Sequence, residues 1–119
     1  MITFPQGGSL PQLQKYVKDK CIERGFDSAS NLEIFLLLSE EMGEMAKALR
    51  KYQGLFQEQN RASEDMQKRQ AHLGEEMADV LSYLLDLANR YDINLEESLQ
   101  RKEEINDQRS WDYQPPTQS

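Results

Sequence analysis

One cysteine, one histidine and one tryptophan occur in 119 residues. A single cysteine, Cys21, permits no internal disulfide, so it is read as a small buried thiol in a reducing compartment. No partner histidine is suggested beside it, which argues against a nucleophile. The lone His72 has no glutamate three residues before it. That excludes the paired Glu-x-x-His motifs of a di-iron helical bundle and leaves His72 as a surface residue one turn before Glu76. No apolar run approaches membrane-spanning length, and the N-terminus has no basic-then-apolar signal, so a cytoplasmic protein without a membrane partner is expected. The net charge of −7 argues against nucleic acid as the main partner. It leaves room for a phosphorylated small molecule, since a bound cation inverts the local field.

What is present is helical sequence. Strand-period alternation, internal repeats and low-complexity blocks are all missing, and the length suits one domain spanning 1–119 with a core at about 10–111. Pro5 and Gly7-Gly8 break an irregular lead-in. Ser9 with Gln12 forms a capping-box pattern opening a first helix that packs Leu10, Leu13, Val17 and Cys21 and stops at Gly25. A polar connection over 26–30 precedes a second helix from about Asn31 to Tyr52, ended by Gly54. Residues 55–66 read as a loop or loose helical extension. Ser63, followed by two acids, is the expected cap of a third helix reaching Tyr91, with the stretch before Gly74 frayed. Asn94 with Glu97 opens a fourth helix to about Gln108. From Ser110 the chain reads as extended, and 112–119 as a flexible tail.

Two acidic pairs run against this grain. Glu41/Glu44 and Glu76/Asp79 are each three residues apart, just under one helical turn, so each pair projects to one side. Glu41 shares the apolar arc of Ile34, Leu37, Leu38, Met45, Ala48 and Tyr52. Glu76 borders the arc of Leu73, Met77, Val80, Leu84 and Leu87. One such pair in a chain with 29% charged residues would mark a solvated face. Two pairs leaning inward mark a site, because four converging carboxylates cannot all stay ionised without cations. A hard divalent metal held through their oxygens is the simplest occupant.

Ile34-Phe35-Leu36-Leu37-Leu38 is apolar on every side of its helix. Four short helices do not easily enclose it, so a homodimer or homotetramer is expected; the alternative is that helix 1 and 55–66 cover the excess.

Glu40-Glu41-Met42-Gly43-Glu44, a long gap, then Glu76-Met77-Ala78-Asp79 resembles the EExxE…ExxD signature of the MazG-like nucleotide pyrophosphohydrolases, members of the all-α NTP pyrophosphatase superfamily. Asp79-Val80-Leu81-Ser82-Tyr83-Leu84 is similar to the family's DVLxYL stretch, and Lys102, Asn106, Arg109 and Trp111 to its KxxxNxxRxW pattern. The likeness covers about residues 10–111, although residues 45–75 are longer than the family's usual gap. It implies an all-α four-helix bundle completed by homo-oligomerisation. It also implies Mg²⁺-dependent hydrolysis, with Mn²⁺ as a substitute, of an NTP or dNTP to monophosphate and pyrophosphate, with clearance of non-canonical nucleotides as one role. Carried over, the metal ligands are Glu41, Glu44, Glu76 and Asp79, and Glu41 is the chosen catalytic base. Tyr83, Lys102 and Asn106 become substrate-binding residues.

Helix 4 adds its own observation. Leu95, Leu99, Lys102, Asn106 and Arg109 fall on one line, so polar groups continue the stripe that the leucines are expected to bury. Lys102 suits a phosphate and Asn106 a base edge or ribose; the alternative is a helix end that has left the core. Tyr83 is either a stacking platform or a core tyrosine. Lys47 and Lys51 read as surface lysines before triphosphate ligands, Glu40 as solvated before a support for the metal ligands, and Trp111 as a pin for the C-terminal segment. Nothing in these residues selects the base. Related activities on dUTP or phosphoribosyl-ATP, and a non-enzymatic helical interaction protein, are the competing readings.

Overall fold

Capping chemistry sets the element boundaries. The computed structural model describes residues 1–56 and 65–117, and its helices are α1 Leu10–Arg24, α2 Asn31–Tyr52, α3 Met66–Arg90 and α4 Leu95–Asp107, with a short 3₁₀ turn at Phe26–Ser28. Ser9 and Gln12 complete the expected capping box: the Ser9 amide donates to Gln12 Oε1 at 2.7 Å and the Gln12 amide to Ser9 Oγ at 3.4 Å. Ser30 and Asn94 cap α2 and α4 by accepting from the amides of Glu33 and Glu97, each at 3.1 Å. Gly25 and Gly54 stop α1 and α2 at φ 79° and 71°, a left-handed conformation that costs glycine nothing.

Three expectations change. The connection over 26–30 contains the 3₁₀ turn. The cap of α3 is Asp65, which accepts from the Gln67 amide at 2.9 Å. The expected cap Ser63, and most of the 55–66 segment, lie outside the described residues. The helix also runs unbroken through Gly74 instead of fraying before it, because Leu73 is buried and holds this turn.

The start of α2 meets the end of α3, where the Arg90 guanidinium reaches Asn31, and the middle of α2 meets residues 76–79. The two long helices are therefore antiparallel. Among the described residues Ile34, Ala48, Leu73, Leu85 and Ala88 are the buried apolar ones, and Leu38, Glu41, Met45 and Tyr52 are half-buried on the same arc of α2 as Ile34. Among the described residues there is no strand. The all-α reading holds.

Polar pins fasten α1 and α4 to this pair. Gln14 on α1 is buried and donates to Asn89 Oδ1 (3.1 Å) and the Ile93 carbonyl (2.8 Å), while its Oε1 accepts the Leu95 amide at 2.9 Å. Arg90 donates from Nε to Asp86 (2.9 Å) and from its terminal nitrogens to the carbonyls of Phe26 (3.0 Å) and Ala29, locking the α1–α2 connection onto α3. Beyond α1, α4 has little support, and Leu99 is 57% exposed instead of buried.

A large apolar surface stays open. Phe35, Met42 and Leu49 recur every seven residues along α2, and Met77, Leu81 and Leu84 follow i, i+4, i+7 along α3; all are exposed. The radius of gyration is 18.2 Å, against about 13–14 Å for a compact domain of this length.

Candidate functional site

Three of the four expected ligands converge. Oxygens of Glu41, Glu76 and Asp79 lie within 4.8 Å of one another at the crossing of α2 and α3. The cause is local: Glu41 belongs by helical phase to the inward arc of α2, and Glu76 and Asp79 are one turn apart on the facing side of α3. The pKa of Glu41 is raised, first by desolvation and then by the charges of Asp79 and Glu76. Glu44 lies outside this cluster and is exposed. It sits one turn on, rotated about 60° toward the flank that carries Leu37. Glu40 is exposed, and its charge adds to those that raise the pKa of Glu41 and Tyr83. His72 is also exposed, its Nε2 3.8 Å from Glu76 Oε1 and its Nδ1 4.0 Å from Glu75.

The donor set fits a hard divalent cation. Three carboxylates at this spacing present only oxygens, the ligand type that Mg²⁺ and Ca²⁺ prefer, and Glu41 carries the electrostatic cost that a cation would relieve.

Asp79 also lines a pocket of about 280 Å³ enclosed by α1, α2 and α3. Tyr83, one turn after Asp79, is half-buried in its wall; its pKa is raised by burial first and then by Glu41 and Asp79. From α2 come Ile34 and Leu37, and from α1 come Tyr16, Val17, Lys20, Cys21 and Arg24. The Cys21 thiol is pushed up to about 11, by burial and then by the Asp86 carboxylate, so it is not a nucleophile at neutral pH.

Lys20, Arg24 and Asp86 were not singled out from the sequence. A signal was there for the first two: Val17, Lys20, Cys21 and Arg24 follow i, i+3, i+4, i+7, which puts both cations on the side of α1 that carries Val17 and Cys21, with Lys20 half-buried and Arg24 exposed. Lys102 and Asn106 lie on α4, which packs on α1. Lys102 is exposed, and Asn106 is half-buried, its side chain accepting from Arg109 at 3.4 Å and its carbonyl from the Trp111 indole at 3.1 Å. That last bond ties Trp111 to the end of α4, five residues back, and the indole is 71% exposed instead of pinning the C-terminal segment onto the bundle. Lys47 is exposed and Lys51 is half-buried on the same flank of α2 as Glu44.

Among the described residues no helix is long and apolar enough to cross a membrane. No curated protein matches the chain significantly. The family model for the MazG nucleotide pyrophosphohydrolase domain matches residues 29–110, from the entry to α2 through the end of α4 and across both acidic pairs. By that match the chain belongs to the MazG nucleotide pyrophosphohydrolase family.

Proposed function

We propose that this protein is a Mg²⁺-dependent pyrophosphohydrolase that cleaves a nucleoside triphosphate between its α- and β-phosphates. The observation that carries the reading is the convergence of Glu41, Glu76 and Asp79 beside the α1–α2–α3 pocket, with Asp79 in both. Glu41, Glu76 and Asp79 would hold the cation, with Glu44 reaching in from the rim. Bound there, Mg²⁺ supplies charge neutralisation of the phosphates and a more acidic water. Glu41, its pKa raised by desolvation and by the charges of Asp79 and Glu76, takes the proton of the attacking water on its Oε atom. The Tyr83 ring stands where it can orient the nucleoside, and Lys20 and Arg24 offset phosphate charge from the α1 side.

The assembly completes the site. The exposed stripes of Phe35, Met42 and Leu49 on α2 and Met77, Leu81 and Leu84 on α3 give two copies a continuous apolar face. We assign Lys102 and Asn106 to substrate in that assembled state: α4 is anchored on α1, away from its own acidic cluster, with Lys102 free of packing.

A panel of ribo- and deoxyribonucleoside triphosphates with Mg²⁺, scored for pyrophosphate and monophosphate, tests the reading. Pyrophosphate release abolished by chelation is expected. Release of orthophosphate instead, or no turnover of any nucleotide by folded protein, would overturn it.

A further inference from the structure

Asp86 is 6% exposed, yet it lines the pocket that Asp79 and Tyr83 open into. Asp79, Tyr83 and Asp86 follow i, i+4, i+7 along α3, so they share one side of the helix. Seven residues of rise place Asp86 about 10 Å beyond Asp79. That is the direction and scale in which a nucleoside extends from an α-phosphate held at the acidic cluster.

The carboxylate is held in place without being used up. Arg90 Nε donates to Oδ1 at 2.9 Å, and Arg90 is itself fixed by the carbonyls of Phe26 and Ala29. A carboxylate offers about four acceptor positions; Arg90 Nε and the Cys21 thiol take two of them, which leaves acceptor capacity for a ligand. The surrounding walls, Tyr16, Val17, Phe26 and Ile34, are aromatic or apolar and suit a flat heterocycle. A structural pin alone would not need its carboxylate at a pocket surface two turns from the catalytic acids.

We infer that Asp86 reads the base, accepting a hydrogen bond from an exocyclic amino group and so selecting amino-bearing bases, cytosine or adenine, over their keto counterparts. The inference rests on the pyrophosphohydrolase reading and adds the substrate class. A keto oxygen at the same place would set acceptor against acceptor beside a buried carboxylate, leaving both unsatisfied. Sites built this way reject the mismatched analogue far more strongly than apolar pockets do. Arg90 is the positioning residue that aims the carboxylate.

The test compares pairs that differ only in amino against keto at one ring position: CTP with UTP, and ATP with ITP, using the full chain with Mg²⁺. In at least one pair the amino member should have a kcat/KM at least about tenfold higher; which pair shows it separates cytosine from adenine. Asp86→Asn presents a donor as well as an acceptor, and should narrow that ratio to within about threefold, chiefly by lowering kcat/KM for the amino member. Equal rates within both pairs for the wild type, or a preference for the keto members, would overturn the inference and leave the hydrolase reading standing. Proportional loss on both members in folded Asp86→Asn would also overturn it, by showing a purely structural role. If Asp86→Asn does not fold, the wild-type ratios decide. If folded wild type turns over none of the four, the hydrolase reading falls and takes this one with it.

Discussion

Gln14 and Asn89 bond to each other in both directions: Gln14 Nε2 donates to Asn89 Oδ1 at 3.1 Å, and Asn89 Nδ2 donates to the Gln14 carbonyl at 2.8 Å. The same Gln14 side chain serves the Ile93 carbonyl and the Leu95 amide, so one buried amide joins α1, the end of α3 and the start of α4. Gln14→Ala removes the side chain and strands its partners. It should lower stability by about 2 kcal/mol, measured by urea unfolding at fixed protomer concentration. A loss under 0.5 kcal/mol, of the order of ordinary surface changes, would show that water replaces the amide without cost.

Arg90→Ala leaves Asp86 buried without its cation and frees the carbonyls of Phe26 and Ala29. A cost of about 3 kcal/mol is expected. Arg90→Lys should recover part of it, since one ammonium cannot reproduce the fork. Thermal melts of both variants check the order; equal stability of Lys and Ala at this position would mean that the charge contributes nothing.

Glu41→Gln separates stability from function. In metal-free protein it removes a carboxylate held above its ordinary pKa by desolvation and by two like charges, so the melting temperature should rise. Turnover should fall at least about 100-fold and the stabilising response to Mg²⁺ should shrink. The sign for pH follows. A raised folded pKa means the native state holds the proton more tightly, so this contribution is complete below the ordinary value of 4.5 and is lost as pH rises through the shifted one. Melts in chelator at pH 5 and pH 7 should therefore show a decline for wild type that is smaller for Glu41→Gln.

Phe35 is 51% exposed on the α2 stripe assigned to the assembly, away from Glu41. A charge there, Phe35→Glu, should dissociate the assembly while sparing the acidic cluster. Sedimentation velocity at micromolar concentration checks it: a dimer or larger is expected for wild type and a lighter species for the variant. A monomeric wild type would leave the apolar stripes unexplained.

Cys21 should resist alkylation. With its pKa raised from 9.0 to about 11, little thiolate exists at pH 8. Iodoacetamide labelling of native protein should be far slower than in urea and should climb only as pH passes about 10. Stability carried by the protonated thiol is complete below pH 9 and fades toward pH 11. Labelling at pH 8 as fast as in the unfolded chain would contradict the burial.

Local chemistry made much of this protein legible without coordinates. Ser9, Ser30 and Asn94 cap helices because each offers an oxygen to an orphan amide, and Gly25 and Gly54 end α1 and α2 because glycine adopts the left-handed conformation without steric cost. The phase of Glu41 within the apolar arc of α2 marked it as an inward acid, since a period of 3.6 residues ties spacing to direction. The partnership of Glu41 with Glu76 and Asp79 was an inference until the antiparallel packing of α2 on α3 brought them within 4.8 Å. The pocket was not legible. Its walls come from three helices and the α1–α2 connection, and although the spacing of Lys20 and Arg24 sets their side of α1, what they face is decided only when α1 is laid across the α2–α3 pair. Asp86 shows the same limit: only burial against Arg90 and Cys21 distinguishes it from any other acid on α3. Periodicity fixes which way a side chain points from its own helix. What it points at depends on long-range packing that no local pattern encodes.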